Sequence, residues 1–265
     1  MRTIFPAAEK IYDMKKIIIL LTLTFLLGIN AFGAVKKDVI NIGTEGVYAP
    51  FTFTNEKGQL TGYDIEVITE AAKRAGIKIN FVPTPWDSMF LGLESKKYDI
   101  IANQIGKNPD REKKYLFSES YLVSGIQIIV KNSRADIKSL EDLKGKKVGT
   151  SVGSNYNKIL TDFDKKKEIK LVYYDGDVTQ IFQELKSGRI DATLNDRLTV
   201  NDNIKKLGLN VKTVGKVIDE VPSYFVFRKD SADLKAKIDK ALLAMKKDGT
   251  LAKISKKWFT ADYTK

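Results

Sequence analysis

Three charged residues stand where they could hold a small ion. Glu45 and Asp196 each follow the end of a predicted strand, and Arg111 lies in the segment that follows another. An arginine offers a planar, permanently charged fork that fits a carboxylate with two parallel hydrogen bonds. An aspartate or glutamate accepts from an ammonium. A zwitterion such as an α-amino acid needs both signs at a fixed separation. Taken singly, each residue reads better as a surface or capping side chain, by roughly two to one on the usual exposure of such groups. Their shared placement at strand ends favours binding. Arg111 is the sole arginine between Arg74 and Arg134, behind Asn108-Pro109-Asp110, a turn or cap sequence.

Neighbouring residues fit the same picture. Tyr48 and Trp86 lie in polar, proline-containing loops, where an aromatic ring walls a ligand. Phe51 is counted with them, whereas Phe53 fits core packing. Ser151, Ser154 and Asn155 fall at a predicted helix start. Free N–H groups there can hold a carboxylate, or the side chains can simply cap the helix, and both readings stand. Asn103, Gln104, Gly106 and Thr150 complete the strand-end segments. The stretch Gly149-Thr-Ser-Val-Gly153-Ser has no P-loop lysine, which excludes nucleotide binding of that kind.

Composition removes other chemistries. The chain of 265 residues has no Cys and no His. Disulfides, thiolate metal sites, cysteine nucleophiles, Ser-His catalysis and the usual zinc sites are therefore excluded. No metal or cofactor is expected. The net charge of +12 comes from lysines spread among acids. A solvated lysine-rich surface explains it better than nucleic acid.

The elements that must position these residues alternate between strand and helix, as in an α/β fold. Strands are predicted at 39–44, 78–82, 98–103, 125–131, 146–150, 190–195 and 224–228. Helices are predicted at 63–75, 86–96 (opened by Pro85), 178–186 (behind Asp177 as N-cap) and to Lys247 behind Ser231 as its cap, with Gly249 as a stop. A faint duplication runs through them. Leu93, Ser95, Asp99 and Asn103 recur at the same offsets as Leu185, Ser187, Asp191 and Asn195, and Ile42-Gly43-Thr44 matches Val148-Gly149-Thr150. Two similar α/β lobes follow. In open α/β sheets, ligands sit beyond the carboxyl ends of strands. If the lobes face each other, the segments 44–48, 103–111, 150–155 and 195–196 line one cleft.

The N-terminus predicts export. Lys15 and Lys16 precede an apolar run over 17–27, and Gly28, Ala31 and Gly33 follow. That is the order of a cleavable secretory signal, with Ala31 and Gly33 at the cleavage site. A membrane span would need roughly 20 apolar residues. Glu9 and Asp13 do not suit a signal, so Met14 is the expected true start and residues 1–33 the leader. A lipid anchor would need a Cys at the cleavage site. The mature protein is expected free in a periplasm, as a monomer.

Several segments resemble one family. They are Gly43-Thr-Glu-Gly-Val-Tyr-Ala-Pro-Phe51, Gly62-Tyr-Asp-Ile-Glu-Val, Asp110-Arg-Glu-Lys-Lys-Tyr, Phe117-Ser-Glu-Ser-Tyr121, Leu143-Lys-Gly-Lys-Lys-Val-Gly149 and Asp248-Gly-Thr with Lys257-Trp-Phe. In order, they look like the signposts of the periplasmic polar amino-acid-binding proteins that serve ABC importers. The resemblance covers residues 39–259. It implies the two-lobed type II periplasmic-binding-protein fold, each lobe a sheet flanked by helices, joined by two crossing hinge strands. Lobe 1 would be 34–123 plus 222–265, and lobe 2 would be 124–221. It implies a non-catalytic binder that delivers its ligand to an ABC permease in the inner membrane. Arg111 would hold the ligand α-carboxylate and Asp196 the α-ammonium, with Gln104, Gly106, Ser154 and Asn155 also in contact, Trp86 as a wall and Tyr48 as a lid. Many relatives carry Ser or Thr where this chain has Gly106.

Trp86-Asp-Ser-Met-Phe-Leu-Gly-Leu, Ala102-Asn-Gln-Ile-Gly106 and Asn195-Asp-Arg-Leu198 are similar to cystine-binding members. Cystine has two ammonium groups, and Glu45 would supply the acid at its far end. The alternatives are a binder of another polar amino acid, a dehydratase-type enzyme using Glu45, Asp196 or a lysine, and a sensor module.

Overall fold

Strand β1 (Val39–Thr44) lies between β5 (Lys78–Pro83) and β6 (Ile100–Ile105), parallel to both. Residues 100–103 are fully or almost fully buried, as befits a central strand covered on both faces. The structure is a computed structural model describing residues 39–175 and 178–265, with backbone alone at 205–207. The expected leader, with Met14, and the expected cap Asp177 lie outside the described residues.

Helix α1 (Tyr63–Arg74) covers this part of the sheet with Val67, Ile68, Ala71 and Ala72. Asp64 and Glu66 occupy its first turn and Lys73 and Arg74 its last, matching the helix dipole. A 3₁₀ turn (Trp86–Ser88) leads into α2 (Met89–Glu94), so the expected single helix over 86–96 is broken in two. A small sheet of β2 (Val47–Tyr48), β3 (Thr52–Thr54) and β4 (Leu60–Thr61) sits between β1 and α1 in sequence. Helix α3 (Pro109–Lys114) and strand β7 (Tyr115–Phe117) precede β8 (Leu122–Lys131).

A second series follows: β9 (Lys147–Ser151), α4 (Asn155–Phe163), β10 (Lys170–Tyr174), α5 (Val178–Ser187), β11 (Ala192–Asp196) and α6 (Arg197–Leu207). Strand β12 (Val211–Arg228) then leads to α7 (Ala232–Lys247) and α8 (Thr250–Phe259). Among the described residues the main sheet has nine strands, ordered β10-β9-β11-β8-β12-β6-β1-β5, with β7 beside β12.

Strand β12 holds this arrangement together. Its first part pairs with β8, and its last part pairs with β6 and β7. Only its apolar end, 224–228, is legible as strand. Upstream, Lys216, Asp219 and Glu220 are exposed or partly exposed, and Gly215 and Pro222 interrupt the pattern. The expected lobe boundaries, 123/124 and 221/222, fall on facing rungs, with Val123 opposite Pro222 and Ser124 opposite Val221.

The duplication is visible in three dimensions. Asp99 Oδ2 accepts from the N–H of Asn41 at 3.0 Å, and Asp191 Oδ2 accepts from the N–H of Lys147 at 2.8 Å. Each other carboxylate oxygen takes an arginine, Arg228 for Asp99 and Arg134 for Asp191. A Cβ on Gly43 would meet the Tyr98 ring at 2.4 Å, and one on Gly149 would meet Ile190 at 2.6 Å. Both glycines are required by close approach of a side chain from the turn that leads into the neighbouring strand, β6 or β11.

Two expectations on single residues fail. Phe51 is completely buried. Its N–H bonds the Tyr48 carbonyl at 3.0 Å, a tight turn that stacks the two rings at 5.7 Å. Phe51 then packs on Tyr63 and Phe259, so only Tyr48 of the pair reaches the cleft. Ser231 occupies the N-cap position of α7, but its hydroxyl makes no capping bond and donates to Asp230 instead.

Candidate functional site

Twelve of the sequence-predicted residues line a single cavity between the two halves of the sheet, and Phe51 does not. Arg111 is set by the start of α3. Asn108 Oδ1 caps that helix by accepting from the Arg111 N–H at 2.9 Å, and Pro109 opens it. The guanidinium is almost wholly buried, 7% exposed. It donates to the Gly106 carbonyl at 2.8 Å and to the Gly153 carbonyl at 2.9 Å, one on each half. It lies over the rings of Phe90 and Trp86, at 4.8 and 5.5 Å. Burial pulls its pKa down to about 10. Among the described residues no carboxylate is within ion-pair distance of it. Two of its five N–H donors serve carbonyls, which leaves a buried cation able to take an anion.

Asp196 is 1% exposed at the end of β11. It caps α6, with Oδ1 accepting from Leu198 N–H at 2.8 Å and from Ser124 Oγ at 2.9 Å. Oδ2 accepts from Gln104 Nε2 at 2.8 Å. Desolvation pushes its pKa up, opposed by these hydrogen bonds. Its hydrogen-bond donors are all neutral, so the carboxylate can still pair with a cation. Glu45 is held in a two-way clamp by Asn103, which donates to Oε2 at 2.6 Å and accepts from the Glu45 N–H at 2.8 Å.

Several side chains span the cleft. Tyr48 donates to Asn195 Oδ1 at 2.9 Å and shares a hydrogen bond with the Tyr156 hydroxyl at 3.0 Å. Burial pushes both phenols well above their usual range. Trp86 Nε1 donates to the Val152 carbonyl at 3.1 Å, and Asn108 donates to Asn155 Oδ1 at 2.9 Å. The cleft is closed in this structure.

For Ser154 the capping reading holds. Its hydroxyl accepts from Asn157 N–H at 3.0 Å and donates to the Ser151 carbonyl at 2.7 Å. Thr150 Oγ1 is buried, lines the cavity and has no hydrogen-bond partner among the described residues. Sequence reasoning missed Tyr156, Val178, Ile181 and Val221, which also line the cavity. Tyr156 was within reach, directly after Asn155 in the first turn of α4. The described residues hold no group of three or more His, Cys, Asp or Glu placed for a metal.

Two α/β lobes closed over a buried cation and a buried carboxylate define a binding protein for a small charged solute. The chain matches the bacterial extracellular solute-binding proteins, family 3, over residues 40–261, and it belongs to that family. It is 47% identical to the L-cystine-binding protein TcyA of Bacillus subtilis, across 87% of this chain and 84% of that one. It is 40% identical to the L-cystine-binding protein TcyJ of Escherichia coli strain K12, across 87% and 86%. Among solved structures, an ancestral arginine-binding protein bound to arginine superimposes with a TM-score of 0.80 at 38% identity, covering 84% of this chain and 99% of that chain.

Proposed function

We propose that this chain is the binding component of an ABC importer, takes cystine into the cleft and presents it to the permease as the closed form. The observation that carries the reading is Arg111: a buried guanidinium with no carboxylate partner among the described residues, in the same cavity as the buried Asp196. Arg111 takes the ligand α-carboxylate and Asp196 the α-ammonium. The buried Thr150 hydroxyl and the start of α4 add donors for the carboxylate. Glu45 faces the second ammonium of cystine. The relatives named for L-cystine support that choice over other polar amino acids.

Lobe 1 is 34–123 with 222–265, described from residue 39 on, and lobe 2 is 124–221. They hinge where Val123 faces Pro222 and Ser124 faces Val221. The pattern of Lys15, Lys16 and the 17–27 apolar run supports export through a cleaved signal to the periplasm, free of a lipid anchor. The described residues contain no helix long and apolar enough to cross a membrane. The protein works as a monomer and binds without catalysis; Asp196, which accepts four hydrogen bonds and caps a helix, serves as a fixed counter-charge.

A thermal-shift screen with cystine and the common amino acids tests the reading. Cystine should raise the melting temperature selectively, as a ligand that binds only the folded state must. No shift with any amino acid would sink it, and a shift with another one alone would replace cystine.

A further inference from the structure

Asp64 is the second residue of α1 and has no exposed surface. A carboxyl buried that deeply is costly unless its oxygens are used. Oδ2 accepts from the backbone N–H of Gln104. Oδ1 lies beside the buried Tyr121 hydroxyl without closing a hydrogen bond of good geometry. Gln104 has a φ of 49°, a left-handed backbone that a residue with a Cβ keeps only where its surroundings hold it. From that backbone its side chain reaches the other lobe, where Nε2 donates to Asp196 Oδ2 at 2.8 Å. Gln104 and Asp196 line the cavity, but Asp64 does not.

We propose that Asp64 is a positioning residue for the ammonium subsite: it pins the left-handed backbone of Gln104, and so aims the carboxamide that holds Asp196 from the opposite lobe. The inference rests on the amino-acid reading of the cleft. It joins two buried carboxylates, one on each lobe, through a single glutamine.

The ionisable groups that face Asp64 are Tyr63 on its own helix, Tyr121 ahead of β8, and Asp196 at the end of β11. None is a cation. Burial pushes the Asp64 carboxyl up to about 7, against the Gln104 N–H, and the Asp196 charge adds to the rise. A ligand ammonium beside Asp196 brings positive charge to this group and favours ionised Asp64. Ligand affinity therefore rises as pH climbs through 7 and Asp64 loses its proton.

The test titrates cystine, glutamine and arginine by calorimetry into wild type, Asp64→Asn, Gln104→Ala and the double variant, from about pH 5 to about pH 7.5. Asp64→Asn keeps the size and an acceptor for Gln104 but removes the charge. It should weaken binding about tenfold at the upper pH, as loss of a charge-assisted hydrogen bond does. It should flatten the rise with pH and add nothing further in the Gln104→Ala background. An equal loss in both backgrounds would make Asp64 merely structural and overturn the proposal. Should Asp64→Asn fail to fold, wild type and Gln104→Ala decide: a flat wild-type profile, or Gln104→Ala binding the ligands as tightly as wild type, overturns it. Wild type binding none of the three ligands would remove the amino-acid reading and this role with it. Normal wild-type binding with an unaffected Asp64→Asn would remove the role alone.

Discussion

Asp99 and Asp191 occupy the same place in the two lobes: each ties its own β-strand to the first residues of the neighbouring parallel strand and takes an arginine on its second oxygen. They are not equally buried. The Asp99 side chain is 8% exposed and that of Asp191 is 27% exposed. Removing Asp99 leaves the Asn41 N–H without its acceptor and takes the buried carboxylate from Arg228, which keeps the Tyr98 carbonyl at 2.7 Å and Asp230 at 3.3 Å; in so buried a place that costs about 3 kcal/mol. Arg134 retains Asp136 at 2.8 Å when Asp191 is lost, and the more exposed site admits water, so the expected cost there is nearer about 1 kcal/mol. Urea unfolding of Asp99→Ala and Asp191→Ala measures both. Equal losses would show that burial does not set the difference.

The same pair shows how far the sequence carried. Asp99 and Asp191 stood at matched offsets in a twelve-residue block that agrees with its copy at four positions, and that agreement pointed to two similar lobes and to the strand ends that face the cleft. Arg111, Asp196 and Glu45 stood out together, three charges of both signs at predicted strand ends, although each alone reads better as a surface or capping residue. Strand β12 was not legible over 211–223, because its outer face is charged and its register breaks between Val214 and Asp219. Phe51 was misplaced because sequence shows an aromatic in a proline loop but not which way the turn aims it. Tyr156, Val178 and Ile181 escaped because apolar and aromatic residues in a helix look the same whether they face a core or a ligand.

Arg111 should be indispensable. Its guanidinium is already desolvated, so a ligand carboxylate meets it without a further cost of stripping water from the cation. Arg111→Ala is expected to weaken every α-amino acid at least a hundredfold, about 3 kcal/mol, by calorimetry. Far-ultraviolet circular dichroism should be unchanged. Near-normal affinity for any one amino acid would take Arg111 out of the site.

Gly106 is sized for closure. A Cβ at this position would lie 2.7 Å from Asn155 Nδ2 and 2.7 Å from Val221 Cγ1. Asn155 can swing away at the loss of its bonds to Asn108 and Lys107. Val221 is β-branched, stiff at its first torsion and paired with Ser124 on the proposed hinge rung, so it cannot. Gly106→Ser should therefore hold the lobes apart, with a larger radius of gyration under saturating cystine and about tenfold weaker binding, the cost of an overpacked contact. Small-angle scattering that matches wild type with ligand present would refute it.

Glu45→Gln separates cystine from single-headed amino acids. The second ammonium of cystine loses its water when the lobes close, and a buried charge left unpaired is far more costly than one that is paired. Arg111 and Asp196 are taken by the near end of the ligand. Glu45 lines the same cavity, and Asn103 fixes its Oε2 at 2.6 Å, so the carboxylate is held in place before the ligand arrives. The glutamine keeps the shape and an acceptor for Asn103 but removes the charge. Calorimetry should show cystine weakened at least tenfold, about 1.4 kcal/mol, with glutamine or serine changed by less than threefold. A bracing role for Glu45 in its own loop would lower all ligands alike. That outcome would leave the amino-acid cleft standing and remove Glu45 as the far-end acid.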